Sequence, residues 1–251
     1  ERYLNARYKF NYTPNTKKFK NEPPSFKNRF IIHLVCLIPI ILLFLITVLF
    51  IINNVIYEFS RIDFIKVFNL TSNTVIISLI ATLIILVIAV YFQFLKRILK
   101  NRTITFFNEV ISLTYALPGA VIGLSLILLF TSYPFENELL IGSFGILVYA
   151  YVIRYMAVGI SPLKSSFDKH PSSYDDTAFN LGMGPTKLFR SIHLPINKSA
   201  IAIAFLITFV DIIKELPITL ILRPFNFDTL AVQTYEYAIE EMIPKSSIYS
   251  L

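Results

Sequence analysis

Thr74-Val-Ile-Ile-Ser-Leu-Ile-Ala-Thr-Leu-Ile-Ile-Leu-Val-Ile-Ala-Val-Tyr-Phe-Gln-Phe-Leu95 decides the class of this protein. No charged residue interrupts it, and no strand-like alternation of polar and apolar residues runs through it. At about 1.5 Å per residue, a helix of this length crosses a hydrocarbon core of about 30 Å. Four further runs of similar length flank it: Phe30–Ile52, Val110–Phe130, Leu139–Ile160 and Ala200–Leu222. A backbone in lipid must satisfy its own hydrogen bonds, and a barrel would show shorter alternating segments. The chain therefore reads as an all-α, polytopic helical membrane protein with five spans.

Composition agrees. Of the 251 residues 55% are hydrophobic and 16% charged, against about 45–50% and 25% in soluble domains. Disorder and disulfide scaffolds are excluded, and the single cysteine, Cys36, lies inside the first span and has no intrachain partner. The net charge of +7 would suit nucleic acid, but in a polytopic chain it marks one face of the membrane, so no nucleic-acid partner is expected. Lys and Arg crowd three alternate segments: the stretch Glu1–Arg29, the turn with Lys96, Arg97, Lys100 and Arg102, and the loop with Lys164, Lys169, Lys187, Arg190 and Lys198. Across the membrane lie Arg61, Lys66, Arg223 and Lys245. The positive-inside rule makes the crowded side cytoplasmic, with the N-terminus inside and 223–251 outside. Glu1–Arg29 has no apolar signal-peptide core, and a chain that begins at Glu1 and ends in polar sequence at Leu251 is expected to be part of a longer one.

Pro39, Pro118 and Pro217 fall inside spans, where each removes a backbone donor and can kink a helix. Gly119 and Gly123 provide a small-residue spacing for close helix packing. The segment 161–199 is the longest connection, and long ordered loops are commonly functional. Ser173 with Asp176 three residues on predicts a capped helix start, Asp175 and Asp176 favour the positive end of the helix dipole, and Gly182 predicts the stop. A second short helix is predicted from Pro185 to Leu194-Pro195. The segment can lie on the lipid surface through Leu181, Met183, Leu188, Phe189 and Ile192, or dock a partner.

Asp176-Thr177-Ala178, three residues, Gly182, nine residues, then Ile192-His193-Leu194-Pro195 resembles the loop E-A-A-x3-G-x9-I-x-L-P of permease subunits in binding-protein-dependent ABC importers. Asp176 stands for Glu and Thr177 for Ala, while the spacing is kept. The resemblance implies a type I importer permease fold in which this loop couples to a separate ATPase. The contacts would then be made by Asp175, Asp176, Thr177, Ala178, Gly182, Ile192, Leu194 and Pro195. Gly182-Met-Gly-Pro-Thr-Lys lacks the spacing of a G-x-x-x-x-G-K-[ST] phosphate loop, so ATP and Mg would belong to the partner subunit. This chain is expected to bind no cofactor and to be no enzyme. A rival class, an intramembrane enzyme or sensor, would need a nucleophile with a partnered base or grouped metal ligands, and neither is visible.

Asp211, Lys214 and Glu215 are ionisable residues within a predicted span, each costing at least about 2.5–3.5 kcal/mol unless paired or hydrated. On one continuous helix Thr208, Asp211, Glu215 and Thr219 would share roughly an 80° arc, with Lys214 on its flank. Two readings stand: a translocation pathway lined by Arg154, Thr208, Asp211, Lys214 and Glu215, or structural pairing of Asp211 with Lys214, with Arg154 available as a second cation. Phe209–Ala231 and Tyr115–Val121 resemble ferric-iron permeases of the importer family, in which two modules are often fused. By that resemblance Glu1–Arg29 looks like a linker into a second module, and a sixth span would follow Leu251. The implied cargo is ferric iron, with thiamine, a polyamine or a phosphonate as alternatives. The implied partners are an external solute-binding protein, a second permease module, the ATPase and membrane lipid, in a bacterial inner membrane. Asp228, Tyr235, Glu236, Tyr237, Glu240 and Glu241 offer oxygen donors on the outer side, or a docking face for the binding protein. His33, His170 and His193 lie in separate segments, so no metal ligands are assigned.

Overall fold

The computed structural model describes residues 25–99, 101–132 and 142–251, all-α with no strand among them. Most of the linker 1–29, Lys100 and the first residues of the fourth predicted span, 139–141, lie outside the described residues. The chain divides into two units, Glu1–Phe50 and Ile51–Leu251. The first unit holds most of α1 (Phe26–Arg61). Pro39 has no N–H to give, and the helix loosens just beyond it into a π-helical stretch, Ile40–Leu45. Phe30, Leu43 and Phe44 stand exposed, as side chains on a lipid-facing helix do.

The second unit is built on α2 (Phe64–Leu99) and α5 (Phe144–Lys169), both long and apolar enough to cross a membrane. Ile77, Ala81, Ile85 and Ala89 repeat every four residues and form one buried stripe of α2. It meets Leu147, Tyr151, Ile160 and Leu163 of α5 and Ala204 and Ile212 of α8 (Lys198–Ile213). Approach is close because small residues sit at the crossings: a Cβ on Gly159 would lie 2.6 Å from the Ile85 side chain. The other face of α2, including Val75, Leu79, Leu83 and Val87, is exposed.

Two predicted spans are broken rather than continuous. The third is α3 (Arg102–Leu113), a 3-10 turn at Thr114–Ala116, and α4 (Gly119–Ser132), with a 109° bend between the two parts. Pro118 forces the break, since the residue before a proline avoids helical geometry, and Leu117 is extended at φ −75°, ψ 132°. The fifth ends at Ile213 and resumes as α9 (Pro217–Leu222), where Pro217 suits a first turn. Among the described residues three helices are span-length, or up to five spans if two bent pairs, Arg102–Ala116 with Gly119–Ser132 and Pro185–Ile196 with Lys198–Ile213, each count as one. The fourth span also runs further than its hydropathy indicates. Helix α5 continues through Pro162 to Lys169, so the connecting segment begins there and not at Ser161.

Within that segment α6 (Ser173–Asn180) is followed by a bend and α7 (Pro185–Ile196). A 70° turn at Asn197 then leads into α8. The predicted cap differs: Ser172 is the N-cap residue and makes no side-chain capping bond, while Asp175 and Asp176 do occupy the first turn. The stop is as expected. Gly182 adopts φ +76°, its N–H reaches Phe179 O, and Met183 N–H reaches Ala178 O at 3.0 Å. This is a Schellman closure that only a residue tolerant of left-handed geometry makes cheaply. Beyond α9 the chain turns through Pro224–Thr229 into α10 (Leu230–Ile239) and α11 (Ile243–Ser250).

Candidate functional site

One buried charge, Glu215, lies where the two broken spans meet. Glu215 lies between α8 and α9, and its Oε1 accepts from the Ile218 N–H at 3.1 Å, satisfying a free donor at the start of α9. Its Oε2 accepts from the Tyr155 hydroxyl and lies 3.5 Å from Arg154 Nε, a charge contact without hydrogen-bond geometry. Arg154 in turn donates through Nη1 to Leu117 O, a carbonyl that the Pro118 break leaves without a helical donor. The guanidinium also stands about 5.7–5.9 Å from the Tyr155 and Tyr115 rings. Thr219 bonds Glu215 O at 2.9 Å and the Tyr151 hydroxyl at 2.6 Å. Gly119 makes room, since a Cβ there would meet Glu215 Oε1 at 2.8 Å. Gly123 does the same against Ile221 of α9, so the glycine spacing serves close packing.

The predicted polar stripe is therefore divided, because α8 ends at Ile213. Thr208 is fully buried beside Gly159, and its hydroxyl has no hydrogen-bond partner among the described residues. Asp211 pairs with Lys214 at 2.7 Å, and the Lys214 side chain is largely exposed. Asp211 also lines an open pocket of about 470 Å³ with Ser112, Tyr115, Ser161, Lys164 and Ile207. Of the five pathway candidates, the structure thus brings Arg154 and Glu215 together and sets Asp211 with Lys214 apart from them.

The second polar centre lies beneath the short helices. Asp175 is buried, its Oδ2 accepting from Arg97 Nε at 2.6 Å and its Oδ1 lying 2.8 Å from His193 Nε2. Around it pack Phe94 of α2, Phe167 of α5, Ala178 of α6 and Leu188 of α7, with Met183, Phe189 and Ile192 at the edge. Burial holds His193 below the ordinary histidine value against the opposing pull of Asp175, so the ring is neutral near pH 7. Of the predicted contact residues, Asp176, Thr177, Gly182 and Pro195 are exposed, Ile192 and Leu194 half-buried, and Ala178 buried. Tyr174, Thr177, Leu181, Met183, Ile192 and Ile196 border an apolar groove of about 360 Å³. Sequence reasoning missed Arg97, Tyr151 and Tyr155. Arg97 is a span-end charge like its neighbour Lys96, while a tyrosine within a span carries no signal beyond its hydroxyl.

On the segment 223–251 Arg223 pairs with Asp228 and, at 2.8 Å, with Glu236. Lys66 donates to the Tyr237 hydroxyl at 3.3 Å. Half of the oxygen donors singled out there thus already have partners. No cluster of three or more His, Cys, Asp or Glu side chains able to hold a metal occurs among the described residues.

No protein-family profile matches the chain. It is 26% identical to the Fe(3+)-transport system permease protein FbpB 2 of Haemophilus influenzae over 189 residues, 75% of this chain and 37% of that protein. It is also 32% identical to the maltose/maltodextrin transport system permease protein MalG of Escherichia coli (strain K12) over 94 residues, 37% of this chain and 31% of MalG. The MalG of Photorhabdus laumondii matches at 31% over the same length. The chain thus spans about a third of the length of the relatives it matches. By sequence, this multi-pass chain is similar to permeases of ABC importers, and over three quarters of its length to one of the ferric-iron type.

Proposed function

We propose that the chain is a permease subunit of an ABC importer in a bacterial inner membrane, carrying ferric iron handed over by an external binding protein. The side bearing α6 and α7 faces the cytoplasm, and a separate ATPase, which holds ATP and Mg, docks on it. A second permease module completes the pathway. The observation that carries this reading is the built pair of short helices. An acidic first turn, a glycine closure and an exposed Asp176–Thr177 edge stand on a firm base at the ends of α2 and α5. Asp176, Thr177 and the apolar groove offer the docking contacts, whereas Asp175 faces inward. The pathway would run beside the Asp211 pocket, where α8 breaks and polar side chains meet open space. Arg154 and Glu215 would hold the broken helices in register rather than touch cargo.

Similarity to FbpB 2 over most of the chain supports ferric iron as cargo. Similarity to MalG supports a second reading with the same architecture and a different small solute. The test is energy-dependent uptake of labelled ferric iron by host cells with and without the intact gene, at matched expression of the binding protein. A loss confined to iron is expected. Unchanged iron uptake contradicts the cargo, and the same assay with thiamine then addresses the alternative.

A further inference from the structure

A lever transmits a push only if its joints are stiff. Helices as short as α6 and α7 are marginal in isolation, and the chain ties them covalently only to α5 before and α8 after. A third connection is made by side chains. Arg97, near the end of α2, sends its guanidinium to four acceptors: Asp175 Oδ2 at 2.6 Å, Phe167 O at 2.6 Å, His170 O at 2.9 Å and Pro171 O at 2.8 Å. The carbonyls belong to the last turn of α5 and the residues just after it, where helical donors run out. Asp175 belongs to α6, and its other oxygen meets His193 of α7 at 2.8 Å. The His193 ring stacks on Phe167 at 5.5 Å with planes 15° apart. One arginine, one aspartate and one histidine thus fasten four elements, and the Arg97 and Asp175 side chains are about nine-tenths buried. A planar fork of donors suits this arrangement, and a lysine would serve only part of it.

We infer that Arg97, Asp175 and His193 form a positioning joint that makes α6 and α7 move as one body with the inner ends of α2 and α5. Movement imposed on the exposed face then reaches the second span as well as the fourth and fifth. The inference rests on the reading of α6 and α7 as the ATPase-docking element. It assigns Asp175 to force transmission inside the permease and leaves the docking contact to Asp176.

The test uses the full-length permease, assembled with its ATPase and binding protein in proteoliposomes, with labelled ferric iron as probe. Three quantities are measured: ATPase retained, ATP hydrolysed and iron taken up. Arg97→Gln and Asp175→Asn should retain the ATPase and hydrolyse ATP while uptake per ATP falls roughly fivefold or more, the lower range of coupling between sites. The double variant should lose no more than either single one, because both break the same joint. Arg97→Lys should recover part of the loss. Unchanged uptake per ATP in Arg97→Gln, additive losses in the double variant, or release of the ATPase by Asp175→Asn would each overturn the joint. Should Arg97→Gln fail to accumulate, the near-isosteric Asp175→Asn decides by the same criteria. A wild-type permease that retains no ATPase removes the docking reading and the joint with it, whereas intact wild-type coupling with unaffected variants removes the joint alone.

Discussion

Glu215 and Arg154 show how a membrane bundle tolerates charge: each satisfies a backbone group that a proline break sets free, and each then balances the other. Removing one partner leaves the other charge buried, which costs about 3–5 kcal/mol, whereas neutralising both is far milder. Arg154→Met should therefore lower the thermal midpoint of the detergent-purified protein substantially. Adding Glu215→Gln, which keeps an acceptor for the Ile218 N–H, should restore much of it; a double variant no more stable than the single one would contradict this pairing. His193 gives a second prediction. Its folded pKa lies below the unfolded value of about 6.5, chiefly through burial, so the unfolded chain takes up the proton first as pH falls. Stability is full above about pH 6.5, declines below it, and levels off beneath the folded pKa. His170, lowered by burial and by Arg97 and Lys169, adds the same sign. A scan of thermal midpoint against pH should slope less in His193→Gln than in the wild type, with the His170 part remaining. Sequence could not separate Asp175 from Asp176, since adjacent acids in one first turn look alike until packing buries one.

Among elements, hydropathy located the apolar segments well because lipid exposure demands continuous apolar surface, as α2 shows. It could not separate a straight span from a bent one. Pro118 and Pro217 were visible, yet the 109° angle was not, and the close packing beside it, of Gly119 against Glu215 and of Gly123 against Ile221, pairs residues far apart in the chain. The end of α5 was misplaced for a different reason. Residues 161–169 are polar enough to resemble a loop, and their helix is held by Arg97 and by Phe167 in the cluster beneath α6 and α7. The stop of α6 was legible because Gly182 must reach φ +76°, and nothing lies within 4 Å of a Cβ placed there. Strain alone therefore governs substitution at this position. Gly182→Val should cost about 1–2 kcal/mol and Gly182→Asn much less, since asparagine tolerates the left-handed region. Thermal midpoints of the two variants check this, and equal losses would show that space, not backbone geometry, limits the site.

The second unit, Ile51–Leu251, is a bundle with two polar centres, one at the junction of its broken spans and one beneath a pair of short helices. The centres share α5, which supplies Arg154 and Tyr155 to the first and Phe167 to the second and also lines the Asp211 pocket through Ser161 and Lys164, so one helix links the proposed docking face to the proposed pathway. The motif that resembles importer permeases was legible residue by residue. The clamp that holds it was not, because Arg97 is some eighty residues away in sequence and counts there only as a span-end charge. The proposed function stands or falls on the claim that the exposed edge of α6 binds an ATPase. The most direct measurement is copurification of that ATPase with the permease carrying Asp176→Lys, at matched membrane insertion. Retention should fall at least about tenfold from wild type, as expected when a like charge enters a complementary interface. Undiminished retention would contradict the claim.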